Sequence, residues 1–221
     1  MTSNRLLARL TRADARLLEP HLQPMELPLR KQLQAPKKRV DQIYFIDSGM
    51  ASVVANGRET IEVGVIGREG MSGISVVLGN GDRATYETYM QIAGSGQRLP
   101  AEKLREAIAA SVTLHRVLLH YVHCFMIQTT QTALANGRST IEERLARWLL
   151  MADDRVDSSE IALTHEFLAI MLGARRSGVT TALQELERKG LIGHRRSFIT
   201  ILDREGLEER SNGTYSPLSE K

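Results

Sequence analysis

The sequence predicts an α+β protein with an N-terminal antiparallel β roll, a long helix and a C-terminal winged helix-turn-helix. Three observations lead to this prediction. Short apolar runs separated by turn residues fill the region from Met25 to about Leu99. The residues between Pro100 and Gly137 then include no Gly or Pro. Finally, the window HEFLAIMLGARRSGVTTALQ, from His165 to Gln184, spaces its apolar and small residues as two crossing helices require.

Composition limits the class of protein. The chain has 221 residues, of which 42% are hydrophobic and 25% are charged, as expected for one large or two modest globular domains. A net charge of +3 is too small to indicate nucleic-acid binding by itself, so the distribution of charge has to decide. Cys124 is the single cysteine, which excludes an internal disulfide and fits a reducing, cytoplasmic compartment. No apolar run reaches the length of a membrane span, and no membrane partner is expected.

The N-terminal half is expected to contain one helix followed by the roll. Leucines from Leu6 to Leu18 recur at helical spacing and Pro20 ends the pattern, which favours an amphipathic helix over a transit peptide. Turn sequences such as Asn56-Gly57 separate the apolar runs that follow, and Asn-Gly is a strong hairpin signal. These features place the roll, with its N-terminal helix, at residues 1–100.

The long helix, expected at residues 101–137, has two apolar stripes, and a helix that is apolar on two sides must cover two surfaces. One stripe is expected to pack on the roll. The other is expected to pack on the same helix of a second subunit, which predicts a homodimer. The stripes consist of Ile108, Val112, Leu119, Val122 and Met126 on one side, and Leu114, Leu118, Tyr121 and Phe125 on the other.

Residues 138–210 are expected to form the winged helix-turn-helix, and residues 211–221 a polar, disordered tail. In the window, Leu168 and Val179 are positions where the two helices would bury their shared face. Gly173 follows the first helix, where a cap with positive φ favours glycine. After Gly190, two short apolar runs flank a basic turn, as the strands of a wing would.

The polar face of this motif is suited to DNA. Thr164 is a good N-cap for the first helix. Arginine can donate two hydrogen bonds to guanine O6 and N7, while threonine offers a hydroxyl and a methyl group. Basic residues at the wing tip suit phosphate contacts. The predicted contacts with double-stranded DNA are Thr164, His165, Arg175, Arg176, Ser177, Thr180, Thr181, Gln184, Arg195 and Arg196. The alternative is a helical hairpin with a solvated basic face, in a partner-binding adaptor that no longer binds DNA.

The chain resembles the Crp–Fnr family of bacterial transcription regulators as far as about Glu209, most strongly from Arg144-Leu-Ala-Arg-Trp-Leu-Leu through Leu191-Ile192. The resemblance implies a cytoplasmic regulator with RNA polymerase as a partner. It also implies that Arg176 reads a guanine. Ser177 and Thr181 depart from the glutamate and the second arginine that many members have at these positions. We therefore expect a related but shifted operator.

The resemblance also places a possible small-molecule effector site in the roll, which is of the cyclic-nucleotide-binding type. The residues in the matching positions are Gly70, Met71, Ser72, Gly73, Arg83, Ala84 and Thr85. Arg83 occupies the position of the arginine that takes the cyclic phosphate, but Gly73 replaces the glutamate that accepts from the ribose. A cyclic-nucleotide-responsive regulator is therefore the less favoured alternative. In the other interpretation the glycines serve tight turns and Arg83 is a surface charge, so the cofactor or effector is unknown.

Other classes of site are disfavoured by the residues available. One cysteine cannot supply the thiolates of an iron–sulfur cluster. His120, His123 and Cys124 could offer soft ligands, but such residues in a packed helix are usually structural, so no metal site is predicted. A cupin-like enzyme needs clustered histidines, yet none occurs between His21 and His115. Nucleophile-elbow, P-loop and zincin motifs are also missing, and no enzymatic activity is expected.

Overall fold

The computed structural model describes residues 3–57, 60–79, 83–196 and 198–217. The chain divides into two compact units. The first consists of Met1–Val54 and Gly64–Ile127, and the second of Ala55–Val63 and Gln128–Lys221. Among the described residues, no helix is both long enough and apolar enough to cross a membrane.

The first unit is a roll of antiparallel strands with helices at both ends. Its helices are α1 (Arg5–Ala8), α2 (Arg12–Leu18), α3 (Ile74–Val77), α4 (Ala101–Ala110) and the first part of α5 (Val112–Arg138). Its strands are β1 (Gln23–Leu27), β2 (Gln32–Gln34), β3 (Gln42–Ile46), β4 (Met50–Asn56), β5 (Thr60–Ile66), β6 (Glu87–Ile92) and β7 (Gly94–Pro100). The end of β4 and the first residues of β5 lie in Ala55–Val63, which belongs to the second unit. They form two sheets, ordered β1-β7-β3 and β2-β6-β4-β5. The predicted antiparallel roll is therefore confirmed.

The core of this unit lies between the roll and α4 and α5. Phe45 and Leu99 project from paired strands, and Leu104, Leu114 and Leu118 project from the two helices, all with no exposed surface. Burying one such leucine stabilises a fold by about 1.5–3 kcal/mol. The stripe that contains Leu114, Leu118 and Tyr121 therefore packs on the roll.

Two expectations about helices in the first unit are wrong, because a local cap at Thr11 and the contacts of Ser111 divide helices that the sequence predicts as continuous. The single N-terminal helix is divided into α1 and α2, since the Thr11 hydroxyl caps α2 by accepting from the Asp14 N–H at 3.1 Å. The long helix is likewise divided at Ser111, whose extended backbone (φ −138°, ψ 112°) ends α4. The Ser111 hydroxyl accepts from the Leu114 N–H at 3.2 Å and donates to the Asp14 carboxylate at 2.5 Å. α5 then ends at Arg138, one residue after the expected end of the long helix at Gly137.

The second unit contains the predicted winged helix-turn-helix. Its elements are the end of α5, α6 (Ile141–Asp153), β8 (Glu160–Ala162), α7 (His165–Met171), α8 (Arg176–Arg188), β9 (Ile192–Arg195), β10 (Phe198–Ile201) and α9 (Arg204–Arg210). Thr140 and Glu143 form a capping box that begins α6. The strands pair in the order β8-β10-β9. Trp148 is buried and its indole N–H donates to the Glu62 carboxylate at 2.7 Å.

The C-terminal segment was expected to be disordered from Ser211, and its first residues are instead packed. Ser211 and Thr214 are buried. The Thr214 carbonyl accepts from Nε of the buried Arg147 at 2.9 Å. The Tyr215 hydroxyl contacts the carboxylate of Asp154 at 2.9 Å and accepts from Arg204 at 2.6 Å. A polar tail is therefore ordered as far as Tyr215, because it satisfies polar groups of α6 and α9.

Candidate nucleic-acid interface

The first helix of the motif begins and ends where the sequence indicated. The Thr164 hydroxyl accepts from the Phe167 N–H at 3.2 Å and caps α7. Leu168 and Leu172 are buried. Gly173 has φ +55°, which confirms the predicted left-handed cap. Arg144 from α6 donates to the Leu172 carbonyl at 2.8 Å, so the end of α7 is held in place by a guanidinium.

The second helix, α8, has one buried and one exposed face. Its apolar residues Val179, Ala182, Leu183 and Leu186 are buried against the rest of the unit. Arg175 is the extended N-cap residue, so the helix starts at Arg176. The exposed polar side chains at its N-terminal end and centre include those of Arg175, Arg176, Ser177, Thr181 and Gln184. The structure thus brings these predicted DNA contacts together on one surface, at and after the N-terminus of α8.

The hydroxyl groups of the two threonines are already engaged within the helix. Thr180 donates to the Arg176 carbonyl at 3.0 Å, and Thr181 donates to the Ser177 carbonyl at 3.1 Å. Such bonds to the preceding turn are common for threonine in helices. The hydroxyl hydrogens that the sequence suggested as DNA donors are therefore used internally, and the methyl groups remain.

A histidine pair joins the two helices to the wing. His165, the first residue of α7, has Nδ1 3.0 Å from the Thr180 hydroxyl, and its Nε2 lies 3.3 Å from Nε2 of His194 in β9. Partial burial, followed by the neighbouring His194 and Arg176, lowers the pKa of His165. Sequence reasoning included His165 but missed His194, because the contact spans 29 positions and no local pattern indicates it.

The wing is an antiparallel hairpin with exposed basic residues. Residue Phe198 of β10 pairs with Arg195 of β9, and β8 pairs with the other edge of β10. The side chains of Arg195 and Arg196 are exposed, and Arg196 has φ +54° at the turn. Ser197, the remaining residue of the predicted basic tip, lies outside the described residues. The wing therefore adds two arginines to the candidate interface.

An ion-pair cluster fixes the other end of α8. Glu142 of α6 accepts from Lys189 at 2.6 Å and from Arg210 at 2.7 Å. Burial alone would raise the pKa of Glu142, but the hydrogen bonds from Arg210 and Lys189 outweigh it and lower the pKa. The Glu142 carboxylate therefore links α6 to the ends of α8 and α9 through ion pairs.

The glycine-containing stretch of the predicted effector site is explained by packing within the first unit. Gly70, Met71, Ser72 and Gly73 are all buried. The Met71 carbonyl accepts from the Tyr121 hydroxyl at 2.8 Å, and the Ser72 hydroxyl accepts from the Tyr44 N–H at 3.1 Å. Gly73 has φ +87°, a value that strains residues with a Cβ, and a Cβ there would collide with the Ile43 side chain. A glutamate at this position would therefore be strained.

The second part of the predicted effector site has its own backbone partners. The Arg83 guanidinium is exposed and donates to the Lys37 carbonyl at 2.7 Å. Ala84 is buried and exchanges backbone hydrogen bonds with Lys37 and Lys38, while Thr85 is exposed. These contacts support the interpretation of Arg83 as a structural surface charge.

The comparisons with known proteins agree with this geometry. Residues 143–210 match the family model of the Crp-like helix-turn-helix domain. Among solved structures, FixK2 from Bradyrhizobium japonicum has 18% sequence identity and a TM-score of 0.73, covering 90% of this chain and 99% of that protein. TTHB099, a CRP-family transcriptional regulator from Thermus thermophilus, has 18% identity and a TM-score of 0.70, covering 89% and 100%.

A third similar structure is that of CLP from Xanthomonas campestris, described as a c-di-GMP-responsive global regulator. It has 15% identity and a TM-score of 0.69, and the alignment covers 86% of this chain and 99% of CLP. No curated protein sequence matches the chain. TTHB099 is described as a transcriptional regulator and CLP as a global regulator. Residues 143–210 thus match a Crp-like helix-turn-helix domain, and the chain has the fold of solved structures described as transcription regulators of the CRP and crp/fnr families.

Proposed function

We propose that the protein is a transcription regulator that binds a pseudo-palindromic DNA operator as a homodimer. The observation that carries the proposal is that α8 has one buried apolar face and one exposed polar face. One face is buried, while Arg176, Ser177 and Gln184 are exposed on the other, beside a wing with two exposed arginines. In helix-turn-helix proteins such a second helix enters the major groove, and dimers place two of them about 34 Å apart.

The dimer surface we propose is the exposed apolar stripe of α5 in the first unit. Val112 and Met126 are 75% and 60% exposed, and Leu119 and Ile127 are exposed on the same side. Val112, Leu119 and Met126 are spaced by seven residues, which is the repeat of a two-helix seam. Sedimentation at micromolar concentration tests this surface. A wild-type dimer and a monomeric Leu119→Glu, Met126→Glu variant support it, whereas a wild-type monomer contradicts it.

DNA recognition is tested by selecting bound sequences from a random duplex library and measuring affinity for the selected operator. Arg176→Ala is expected to weaken binding by about 5–150-fold, because a bidentate contact with guanine contributes about 1–3 kcal/mol of discrimination. It should also relax the preference at one base pair of each half-site. Arg188→Ala is the matched control, since Arg188 lies at the far end of α8 and pairs with Glu185.

The outcomes separate the proposed regulator from an adaptor. Operator affinity should fall as salt rises, because phosphate contacts release counterions. Ser177 and Thr181 lead us to expect a selected half-site that differs from the one preferred by relatives with glutamate and arginine there. No enriched sequence and no salt-dependent shift would favour the adaptor. RNA polymerase as a partner stays a prediction.

The effector of the first unit is tested separately by calorimetry with cyclic AMP, cyclic GMP and cyclic di-GMP. CLP responds to the last of these, and its relation to this chain motivates including it. Gly73 offers no carboxylate where a glutamate would be strained, and Arg83 already contacts the Lys37 carbonyl, so we expect no tight binding of cyclic AMP. Submicromolar binding that is lost in Arg83→Ala would contradict this expectation.

A further inference from the structure

The histidine pair has a second chemical capacity besides holding the motif together. His165 opens α7, and His194 lies in β9, an edge strand of its sheet. Both side chains are half-buried. Their Nε2 atoms lie 3.3 Å apart, so one ring can donate a hydrogen bond to the other.

The hydrogen bonds indicate which ring nitrogen of His165 is unprotonated. The Thr180 hydroxyl gives its only hydrogen to the Arg176 carbonyl. With that hydrogen engaged, the hydroxyl accepts from His165 Nδ1, 3.0 Å away, which favours the tautomer with a hydrogen on Nδ1. In the neutral ring Nε2 is then unprotonated, and its lone pair points towards His194. The threonine thus selects the tautomer in which Nε2 can act as a ligand.

The distances suit two lone pairs that converge on one ion. Two nitrogens bound to a tetrahedral zinc ion at about 2.0–2.1 Å lie about 3.3–3.4 Å apart. If the two Nε2 atoms pointed straight at each other, the ring centres would be farther apart than the nitrogens by one ring radius on each side. The observed distance between the ring centres, 5.0 Å, is shorter than that sum. The ring axes are therefore inclined, which weakens a linear N–H···N hydrogen bond and favours a shared ligand off the line of centres.

We propose that His165 and His194 bind one divalent transition-metal ion of the zinc and nickel class through their Nε2 atoms, with water in the remaining positions. Imidazole nitrogen is a preferred ligand for these ions. Thr180 supplies the outer hydrogen bond that orients a ligating histidine. Glu187 places a carboxylate at 3.3 Å from the His194 backbone N–H, adding negative charge beside the site. The bound ion would tie α7 to the wing.

The test is calorimetric titration of the full chain with zinc and nickel chloride at pH 7.5 in the absence of DNA. We expect one ion per chain, and at least tenfold weaker binding in both His165→Gln and His194→Gln. Thr180→Val keeps the shape of the side chain but removes the acceptor for Nδ1, and should weaken binding about tenfold. Fluorescence of the buried Trp148 confirms that each variant is folded.

The control is Cys124→Ser, because Cys124 Sγ lies 3.7 Å from His120 Nε2 on α5 and offers a competing pair of ligands. Binding that survives Cys124→Ser and is lost in the two histidine variants supports the site. Absence of binding to the wild-type chain, or binding that depends on Cys124 alone, overturns it. Operator binding measured in a chelator is a separate readout, so failure of the metal site leaves the proposed DNA recognition intact.

Discussion

Removing the packed part of the C-terminal tail is expected to destabilise the second unit. Arg147 is buried in α6, and burial lowers its pKa to about 10, so the guanidinium is still charged at neutral pH. Its Nε donates to the Thr214 carbonyl, while Nη2 contacts the Thr132 hydroxyl at 3.1 Å. A chain that ends at Asn212 loses the first of these partners, together with Tyr215.

The expected cost follows from the contacts removed. A hydrogen bond to a charged group contributes about 1.5–3 kcal/mol. Because Tyr215 is only half-buried and water competes for the same partners, its hydroxyl, which contacts Asp154 and Arg204, adds less, about 0.5–1 kcal/mol. The truncated chain should therefore unfold with a free energy about 2–4 kcal/mol lower than that of the full chain.

Urea denaturation followed by tryptophan fluorescence measures this cost, because Trp148 is the sole tryptophan and is buried in the same unit. A chain that ends at Pro217 is the control and should unfold like the full chain. In an Arg147→Met background, truncation at Asn212 should cost about 1.5–3 kcal/mol less. The reasoning is refuted by a truncation cost below about 1 kcal/mol, or by the same cost with and without the guanidinium.

Other expectations concern a pair of glycines and one carboxylate. Gly173→Ala places a Cβ at φ +55° and 2.9 Å from Ile61, and should lower the free energy of unfolding by about 1–2 kcal/mol. Gly137→Ala, in the open last turn of α5, should raise it by about 0.5–1 kcal/mol in the same urea assay. The Ser111 hydroxyl holds the pKa of Asp14 below its usual value, although burial opposes this. The resulting stability is present above the unfolded pKa of about 3.9 and is lost as pH falls through the lower folded pKa, so Asp14→Asn should flatten the acid limb of a melting-temperature profile.

The parts of the fold that could be predicted are those whose causes are local. The Thr164 cap, the left-handed Gly173 and the strands of the wing each depend on a few neighbouring residues. The buried face of α8 follows from helical spacing alone. These signals were sufficient for the candidate interface because its main residues lie within one short window.

The parts that could not be predicted depend on contacts between distant positions. Ser111 divides the long helix because its hydroxyl meets Asp14, 97 positions earlier. The tail is ordered because Thr214 meets Arg147, 67 positions earlier. Composition described each of these segments correctly as polar or helical. The distant residue that each segment contacts, and therefore the segment's conformation, depends on how the whole unit packs.

The central position of β7 has a consequence for synthesis on the ribosome. β7 pairs with both β1 and β3, so neither early strand has its neighbour until the chain has reached Pro100. Gln23 of β1 pairs with Arg98 of β7, which is synthesised 75 positions later. At 5–20 residues per second, this interval lasts roughly 4–15 s. During that interval two strand edges stay unpaired, a condition that favours aggregation and recruits chaperones. Codon choices that slow translation between these strands should therefore lower the yield of native protein.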